Sequence, residues 1–405
     1  MIKERKHILS YQVVNLSEPS MAPIPYRNKE YDITDYIPFG SDNLFPQALA
    51  YFARSSANHR GVINSKVTYL LGDGIIPVDE KDKETALWLD NINFEQQNIS
   101  FIQSKEFLDE CIFGNGYVEI ITDRKKSFVF LNHIDASKCR KSSDSKSIIM
   151  NPDWNKDTGK GDKARTVLPL YPEFAVVDGV YRSVYHKYSY EPEFTYYGIP
   201  RYIAGRDSAQ IDMKTNRWNL SRLKNSFRLS GILLIPVKDE VESKDVIQYI
   251  EKNHIGDDNN AKLLTITKSR ALDNEKADQA QLIETKQDDE GSWIDLHKQS
   301  LSDIIISHSW FRSLMGVPDT TGFDTRRILN EYEIALKTVI SESQKSWIDL
   351  YRRIVFDLQG RDLKIKFQNS PPLSDYRFYK IWEARKAKGL DYDENDQAQQ
   401  QIIMV

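Results

Sequence analysis

Thiols, membrane-length apolar runs and catalytic signatures are all scarce in this chain, and each absence removes a class of protein. Across 405 residues there are two cysteines, Cys111 and Cys139. They form no CxxC pair and no metal-ligand spacing, which argues against a disulfide scaffold and a zinc ribbon. So few thiols point to a reducing compartment. The start, MIKERKHILSY, is charged but lacks the apolar core of a signal peptide. The densest apolar runs, such as GILLIPV at 231–237, fall far short of the ~18 residues that a membrane helix needs. The expectation is a protein that is neither secreted nor membrane-spanning.

Enzymatic motifs are missing too. GKGD at 159–162 is the nearest approach to a P-loop, but Gly161 stands where Ser or Thr is required and Trp154 where the first Gly belongs. There is no HExxH pair and no GxSxG elbow. The seven histidines are isolated in sequence. His308, near an apolar helix face, reads as packed or interfacial rather than ligating. One carboxylate run, Asp288, Asp289 and Glu290, stands before a helical pattern, where acids are favoured by the partial positive charge of a helix N-terminus. A metal-dependent nuclease would use such a cluster to hold its ions. That enzyme stays as an alternative, and it predicts a monomer or dimer that needs divalent metal. No cofactor is expected.

What the chain does have is a core's worth of apolar residues, at 40% hydrophobic and 28% charged. The length suggests two or three domains. A net charge of -4 gives no global basic footprint for nucleic acid. The mean hydropathy of -0.55 is polar for this size, which suggests an extended shape or surface that is buried only against other chains. One local bias runs against the acidic whole. Within 209–230 the charged residues are Lys214, Arg217, Arg222, Lys224 and Arg228, against Asp212 alone. Such a face contacts phosphate, pairs with a neighbouring chain, or is simply solvated.

Patterning supplies the element order. Residues 1–43 read as extended, with two prolines in MAPIPYRN. Leu44, Phe45, Leu49 and Phe52 share one helical face, and Val62, Ile63, Val67 and Leu70 share another, stopped by Gly72 and Gly74. Two more helical patterns fill 81–113. The Gly-Asn-Gly of 114–116 reads as a turn feeding an alternating strand to 122, with FVFLNHI (128–134) as its partner. The polar stretch 141–166 reads as a solvated loop or long hairpin, and 180–190 as a strand. A helix over 207–230 would span roughly 36 Å at 1.5 Å per residue. Strands at 231–237, 262–268 and 282–285 and a short helix at 243–256 make an α+β insert. A second helix begins near Trp293 with apolar spacing through Met315. After a small polar loop, a third stripe runs from Ile328 to Leu358. A strand at 363–367, Pro371–Pro372 and a last helical stretch complete the chain.

This order resembles the portal proteins of tailed bacteriophages. The resemblance rests on PFGSDNLFPQALAYFARSSANHRGVINSKVTYLLGDGI (38–75), FGNGYVEI (113–120), YYGIPRYIAG (196–205) and IIISHSWFRSLMGV (304–317), taken in that order over nearly the whole chain. It implies an α+β portal-protein fold with wing, two-helix stem, α/β clip insert, tunnel loop and small C-terminal crown. The divisions it implies are 1–205 wing, 206–230 first stem helix, 231–289 clip, 290–313 second stem helix, 314–325 tunnel loop, 326–372 wing long helix and strand, and 373–405 crown or C-terminal tail.

The resemblance further implies a ring of about twelve copies at one capsid vertex of the virion, assembled in the bacterial cytoplasm. Double-stranded DNA would pass through its axis. The partners it implies are the terminase large subunit, the major capsid protein, and head-completion, adaptor or tail proteins, with no membrane. It places Gly316, Val317, Pro318, Asp319, Thr320, Thr321, Gly322 and Phe323 in the loop that lines the channel. Such a loop needs small, flexible, non-sticky residues rather than catalytic groups. Twelve copies at -4 would carry about -48, and a lumen that repels phosphate does not trap moving DNA. Another head-assembly connector is the remaining alternative, though connectors are shorter and lack an insert between two long helices.

Overall fold

A computed structural model describes residues 35–159, 161–225, 229–237, 262–269, 281–283, 290–317, 325–372, 381–387, 389–391, 393 and 395. In chain order the elements are α1 (Phe45–Ser55), α2 (Ala57–Leu71), β1 (Gly74–Pro77), α3 (Lys83–Asp90), α4 (Ile99–Phe113), β2 (Asn115–Thr122), β3 (Phe130–Ile134), β4 (Cys139–Lys141), β5 (Ser147–Met150), β6 (Thr166–Pro169), β7 (Ala175–Val177) and β8 (Val180–Tyr188). Then come α5 (Arg206–Asn225), β9 (Leu229–Val237), β10 (Lys262–Ser269), β11 (Gln281–Ile283), α6 (Glu290–Ser307), α7 (Thr325–Ala335), α8 (Ser341–Gln359), β12 (Ile365–Gln368) and α9 (Ile381–Ala387). No described helix is long and apolar enough to cross a membrane. The chain divides into two units, one drawn from Met1–Arg54, Arg60–Ile203 and Ser307–Val405, the other from Ser55–His59 and Ala204–Ile306.

The larger unit is built on a four-stranded antiparallel sheet, ordered β3-β2-β8-β7. Strand β2 is buried along its whole length. The alternation in its sequence therefore does not translate into one wet face; both faces are covered. Phe45 and Leu49 of α1, Ile63 of α2, and Tyr117, Val184 and Tyr197 form the main core. Phe39 stacks on Tyr197 at 4.2 Å and 6°, which ties the segment before α1 to it. A second cluster joins Phe107 of α4, Phe367 of β12, and Trp347 and Tyr351 of α8. Strand β12, expected from LKIKF, pairs antiparallel with β1, an element with no clear periodic signal of its own.

The smaller unit holds α5, α6 and a three-stranded sheet ordered β10-β9-β11. Strand β9 runs parallel to β10 and antiparallel to β11. The expected helix over 243–256 lies outside the described residues.

Several expectations are corrected. The Gly-Asn-Gly of 114–116 is not a hairpin turn: Gly114 caps α4 with its amide on the Glu110 carbonyl, and Asn115 and Gly116 already belong to β2. Asn115 is buried and bonds the Gly198 amide and carbonyl at 2.8 and 2.9 Å. A Cβ on Gly198 would lie 2.1 Å from the Gly114 carbonyl, so that close approach requires glycine.

The polar stretch 141–166, expected as a solvated loop or a long hairpin, takes the second form: β5 pairs antiparallel with β4 and with β6. It carries β5 and leads into β6, making a β4-β5-β6 sheet with a polar clasp on it. Arg165 binds Asp157 and Asp35, and the fully buried Arg140 donates to Asn43 and lies over the Trp154 ring at 4.9 Å. Of the sheet's few apolar residues, Cys139, Ile148 and Leu168 enter the main core, and the arginines and tryptophan pack the rest.

Helix α5 ends at Asn225, and Leu229 and Ser230 belong to β9 rather than to the helix. The helix expected through Met315 stops at Ser307. Ser309 has φ +51°, and residues 313–315 form a separate 3-10 turn.

Candidate functional site

The segment that leads into residues 316–324 is held first by α2. Its Ser65 hydroxyl donates to the Leu314 carbonyl at 2.8 Å and accepts from the Trp310 indole at 3.1 Å. One residue on, the Lys66 ammonium donates to the His308 carbonyl at 3.0 Å. These two side chains bind the backbone where α6 has ended, and they explain why a helical pattern fails to continue as helix. A free carbonyl at a helix end must find a donor, and here α2 supplies it. Tyr69, one turn further, packs 5.8 Å from both Trp310 and Tyr332.

The same root is fastened to the returning helix. Ser313 bonds Glu331, and Arg327 binds the other oxygen of Glu331 at 2.7 Å. Gly316 takes φ +73° and puts its amide on the Ser313 carbonyl. The chain thus leaves at Gly316 and Val317 from a cross-linked base and re-enters as α7 at Thr325. Pro318, Asp319, Thr320, Thr321, Gly322 and Phe323 lie outside the described residues. An open groove of about 560 Å³ lies at this base, lined by Tyr69, Leu314, Met315, Ile328 and Pro372 among others.

Between α7 and α8 the helix widens. Residues Leu336–Ile340 form a π turn, and both the amide and the hydroxyl of Ser341 reach the Leu336 carbonyl. The continuous apolar stripe of the sequence hides it, because an extra residue per turn moves the stripe without breaking it. Such turns occur often at functional positions.

That turn borders a second cavity, of about 450 Å³, lined by Lys66, Cys111, Lys187, Arg201, His308 and Glu342 among others. Burial pushes the Lys66 ammonium below its ordinary value and the Cys111 thiol up to about 11. Glu110 is engaged by Lys187 at 2.8 Å and by the Trp347 indole at 2.7 Å. Arg201 and Glu342 pair at 3.5 Å, both well exposed, a contact worth no more than about 1 kcal/mol. His308 is buried, as expected, and stacks on Tyr202 at 4.9 Å. Its role is packing.

In the smaller unit the basic helix is partly described. Lys214 and Arg217 are exposed on α5. Arg222 and Lys224 lie on the same helix, and Arg228 is outside the described residues. The lone acid of the segment is not on that face. Asp212 is fully buried and accepts from Ser56 at 2.5 Å and from the Asn58 side chain at 2.7 Å, with Asn216 at 3.3 Å and His297 at 3.5 Å. Counting charges in sequence set this acid against the basic residues; in the fold it is a buried staple, and the exposed bias is correspondingly stronger.

Of the carboxylate run 288–290, only Glu290 is described, as the first residue of α6. Among the described residues no cluster of three His, Cys, Asp or Glu could hold a metal. The sequence also missed Glu106, which is buried beside Gly116 with neither carboxyl oxygen hydrogen-bonded. Burial, then Asp109 and Glu110, push it well above the carboxylate range. No sequence signal marks it, since α4 buries polar residues such as Gln103 and Asp109 among its apolar ones.

Residues 65–290 match the family model described as "Phage portal protein", more than half of the chain. No curated protein matches. Among solved structures, the chain resembles one in the neck of an empty gene transfer agent particle computed with C6 symmetry (TM-score 0.53, 13% identity, 86% of this chain and 94% of that one). It also resembles one in the neck of the native particle computed with C12 symmetry (TM-score 0.52, 13% identity, 86% and 95%). An HK97 family phage portal protein from Corynebacterium diphtheriae aligns at TM-score 0.44 and 9% identity, over 80% and 94%.

Proposed function

We propose, from the premise that this chain belongs to the phage portal protein family, that it forms the ring at a virion vertex through which DNA is packaged and ejected. It is a head-tail connector, and its role is mechanical rather than enzymatic. The observation that carries the mechanism is the loop root. A segment that leaves at Gly316 and returns at Thr325 is fixed at both ends to α2 and to Glu331. A constriction that must meet moving DNA needs a rigid base and a replaceable tip.

The finer assignments follow the same reading. Residues 206–230 and 290–313 are the stem segments, with α5 and α6 as their helices, and 231–289 is the clip. The wing takes 1–205 and 326–372, and 373–405 is a small crown. Supporting the clip assignment is a sheet of its own, β10-β9-β11, between α5 and α6. The clip is the docking surface for the terminase large subunit and later for an adaptor or head-completion protein. The major capsid protein surrounds the ring. Twelve copies is the number we favour, and a relative resembled in fold sits in a neck computed with C12 symmetry. The exposed Lys214 and Arg217, with Arg222, Lys224 and Arg228 beyond them, contact either DNA phosphate or acids of the neighbouring copy.

Negative-stain imaging or mass photometry of the purified chain tests the ring: about a dozen copies around an open channel is expected. A compact monomer at high concentration would sink the reading. The loop is tested in packaging. Asp319→Lys places cations on the channel wall and slows translocation in a salt-dependent way. Thr321→Trp narrows the bore and impairs packaging while rings still form. Normal packaging by both variants removes the loop from the channel.

A further inference from the structure

The cavity beside the π turn contains a charge that the fold leaves largely unanswered. An ammonium carries three donors, and Lys66 Nζ has one acceptor, the His308 carbonyl at 3.0 Å. Among the described residues no carboxylate makes an ion pair with it. Glu110 attracts it from further off, but the two oxygens of Glu110 are taken by Lys187 and the Trp347 indole. Yet Lys66 is buried. A buried ammonium is normally paired or fully hydrogen-bonded. This one instead lines an accessible cavity of about 450 Å³, a volume in the range of small-molecule sites.

We propose that this cavity binds a compact oxyanion, a phosphate or a carboxylate, against Lys66. The other walls suit such a guest. Ser343 and Ser346 line one side from α8, and Arg201 lines the mouth. The partner of Arg201, Glu342, is itself exposed, so the guanidinium is released at little cost when a stronger acceptor enters. Glu342 and the exposed Glu191 also stand in the lining, and they select against a polyanion. A nucleic-acid backbone would meet both carboxylates, whereas a single oxyanion passes them and is held by Lys66 and Arg201. The anion comes from one of two sources: free phosphate in solution, or an acidic side chain of a second copy of this chain. The site does not rest on the portal reading, and its failure would leave that reading untouched.

Inorganic phosphate is the probe, added to the full chain at constant ionic strength with chloride as the control. Phosphate at ten times its dissociation constant should raise the thermal midpoint by about 2 °C. Lys66→Met should abolish the shift. Arg201→Ala, at an exposed position that tolerates truncation, should weaken phosphate affinity roughly tenfold, the worth of one charge-assisted hydrogen bond. If phosphate also opposes assembly, the natural guest is a carboxylate of a second copy; if assembly is indifferent, it is a free oxyanion. Either result supports the site. Absence of any midpoint shift in the wild-type chain overturns the proposal, as does an equal shift in Lys66→Met. Should Lys66→Met not fold, unchanged phosphate affinity in Arg201→Ala overturns it instead.

Discussion

Asp212 in the smaller unit and Lys66 in the larger are both buried charges, and their surroundings are opposite. Asp212 accepts from Ser56, Asn58 and Asn216, with His297 close by. It fastens the start of α2, through Ser56 and Asn58, to α5, with His297 of α6 close by. Lys66 gives one hydrogen bond to one carbonyl. The first arrangement is a finished strut, in which the charge is consumed by the fold. The second keeps most of its hydrogen-bonding capacity in reserve beside open space. A buried charge therefore says little about function until its partners are counted.

The comparison breaks most easily at Asp212. Asp212→Ala leaves the buried Ser56 hydroxyl and the half-buried Asn58 amide without their acceptor. It should cost about 3 kcal/mol, read as a lower urea midpoint and as protease sensitivity within α5 and α6. Next comes the neighbour of Lys66. Ser65→Ala removes the acceptor of the Trp310 indole and the donor to Leu314, for roughly 1–2 kcal/mol. Proteolysis should then appear near 309–317, with the rest of the larger unit intact.

Gly316→Ala is smaller, about 1 kcal/mol. An added Cβ there meets nothing within 4 Å, so the whole effect is backbone strain at φ +73°. Lys66→Met should be the mildest near neutral pH, within about 1 kcal/mol of wild type, because it removes the charge and its desolvation together. The pH dependence gives the sign. Burial lowers the Lys66 pKa in the fold, so between that lowered value and its ordinary one the unfolded chain binds more protons. Wild-type stability should rise relative to Lys66→Met as pH climbs through that window. A difference that is flat with pH would show that Lys66 is not desolvated.

Much of the fold was legible because its helices carry long apolar stripes. Leu44 to Leu70, the patterns within 81–113 and the stripe from Ile328 to Leu358 could be read directly. The strands at 115–122, 130–134 and 180–188 were legible from β-rich runs. What escaped reading was whatever depends on distant partners. Helix α6 ends at Ser307 because Ser65 and Lys66, some 240 residues earlier, bind the backbone beyond it; nothing in ISHSWFRSLM announces that. The β4-β5-β6 sheet was legible only as one of two options, a solvated loop or a long hairpin, because Arg140, Arg165 and Trp154, which complete its packing, read as polar or loop-like in isolation. At the candidate site, the loop root at Gly316 was visible from its glycine and proline, but Ser65, Lys66 and Glu331, which hold it, sit in ordinary helical sequence. Asp212 was only counted, as the one acid among basic residues, since charge counting does not know which face of a helix is inside.

The π turn at Leu336–Ile340 has a further consequence, which concerns phase. An α-helix advances 100° per residue, so one inserted residue rotates everything beyond it by about that angle unless the backbone absorbs it. Here the widened turn absorbs it. Tyr332 before the turn and Trp347 after it can each keep their own azimuth toward the core. Removing one residue within 336–340 would restore a regular helix of nearly the same length. The two ends would then keep their azimuths, whereas closing the turn without that deletion would rotate the Thr325 end against the Trp347 end by about 100°, like a key against its lock. The helix is in effect two screws joined by a vernier, and the setting of that vernier fixes the direction in which the chain enters α7 at Thr325.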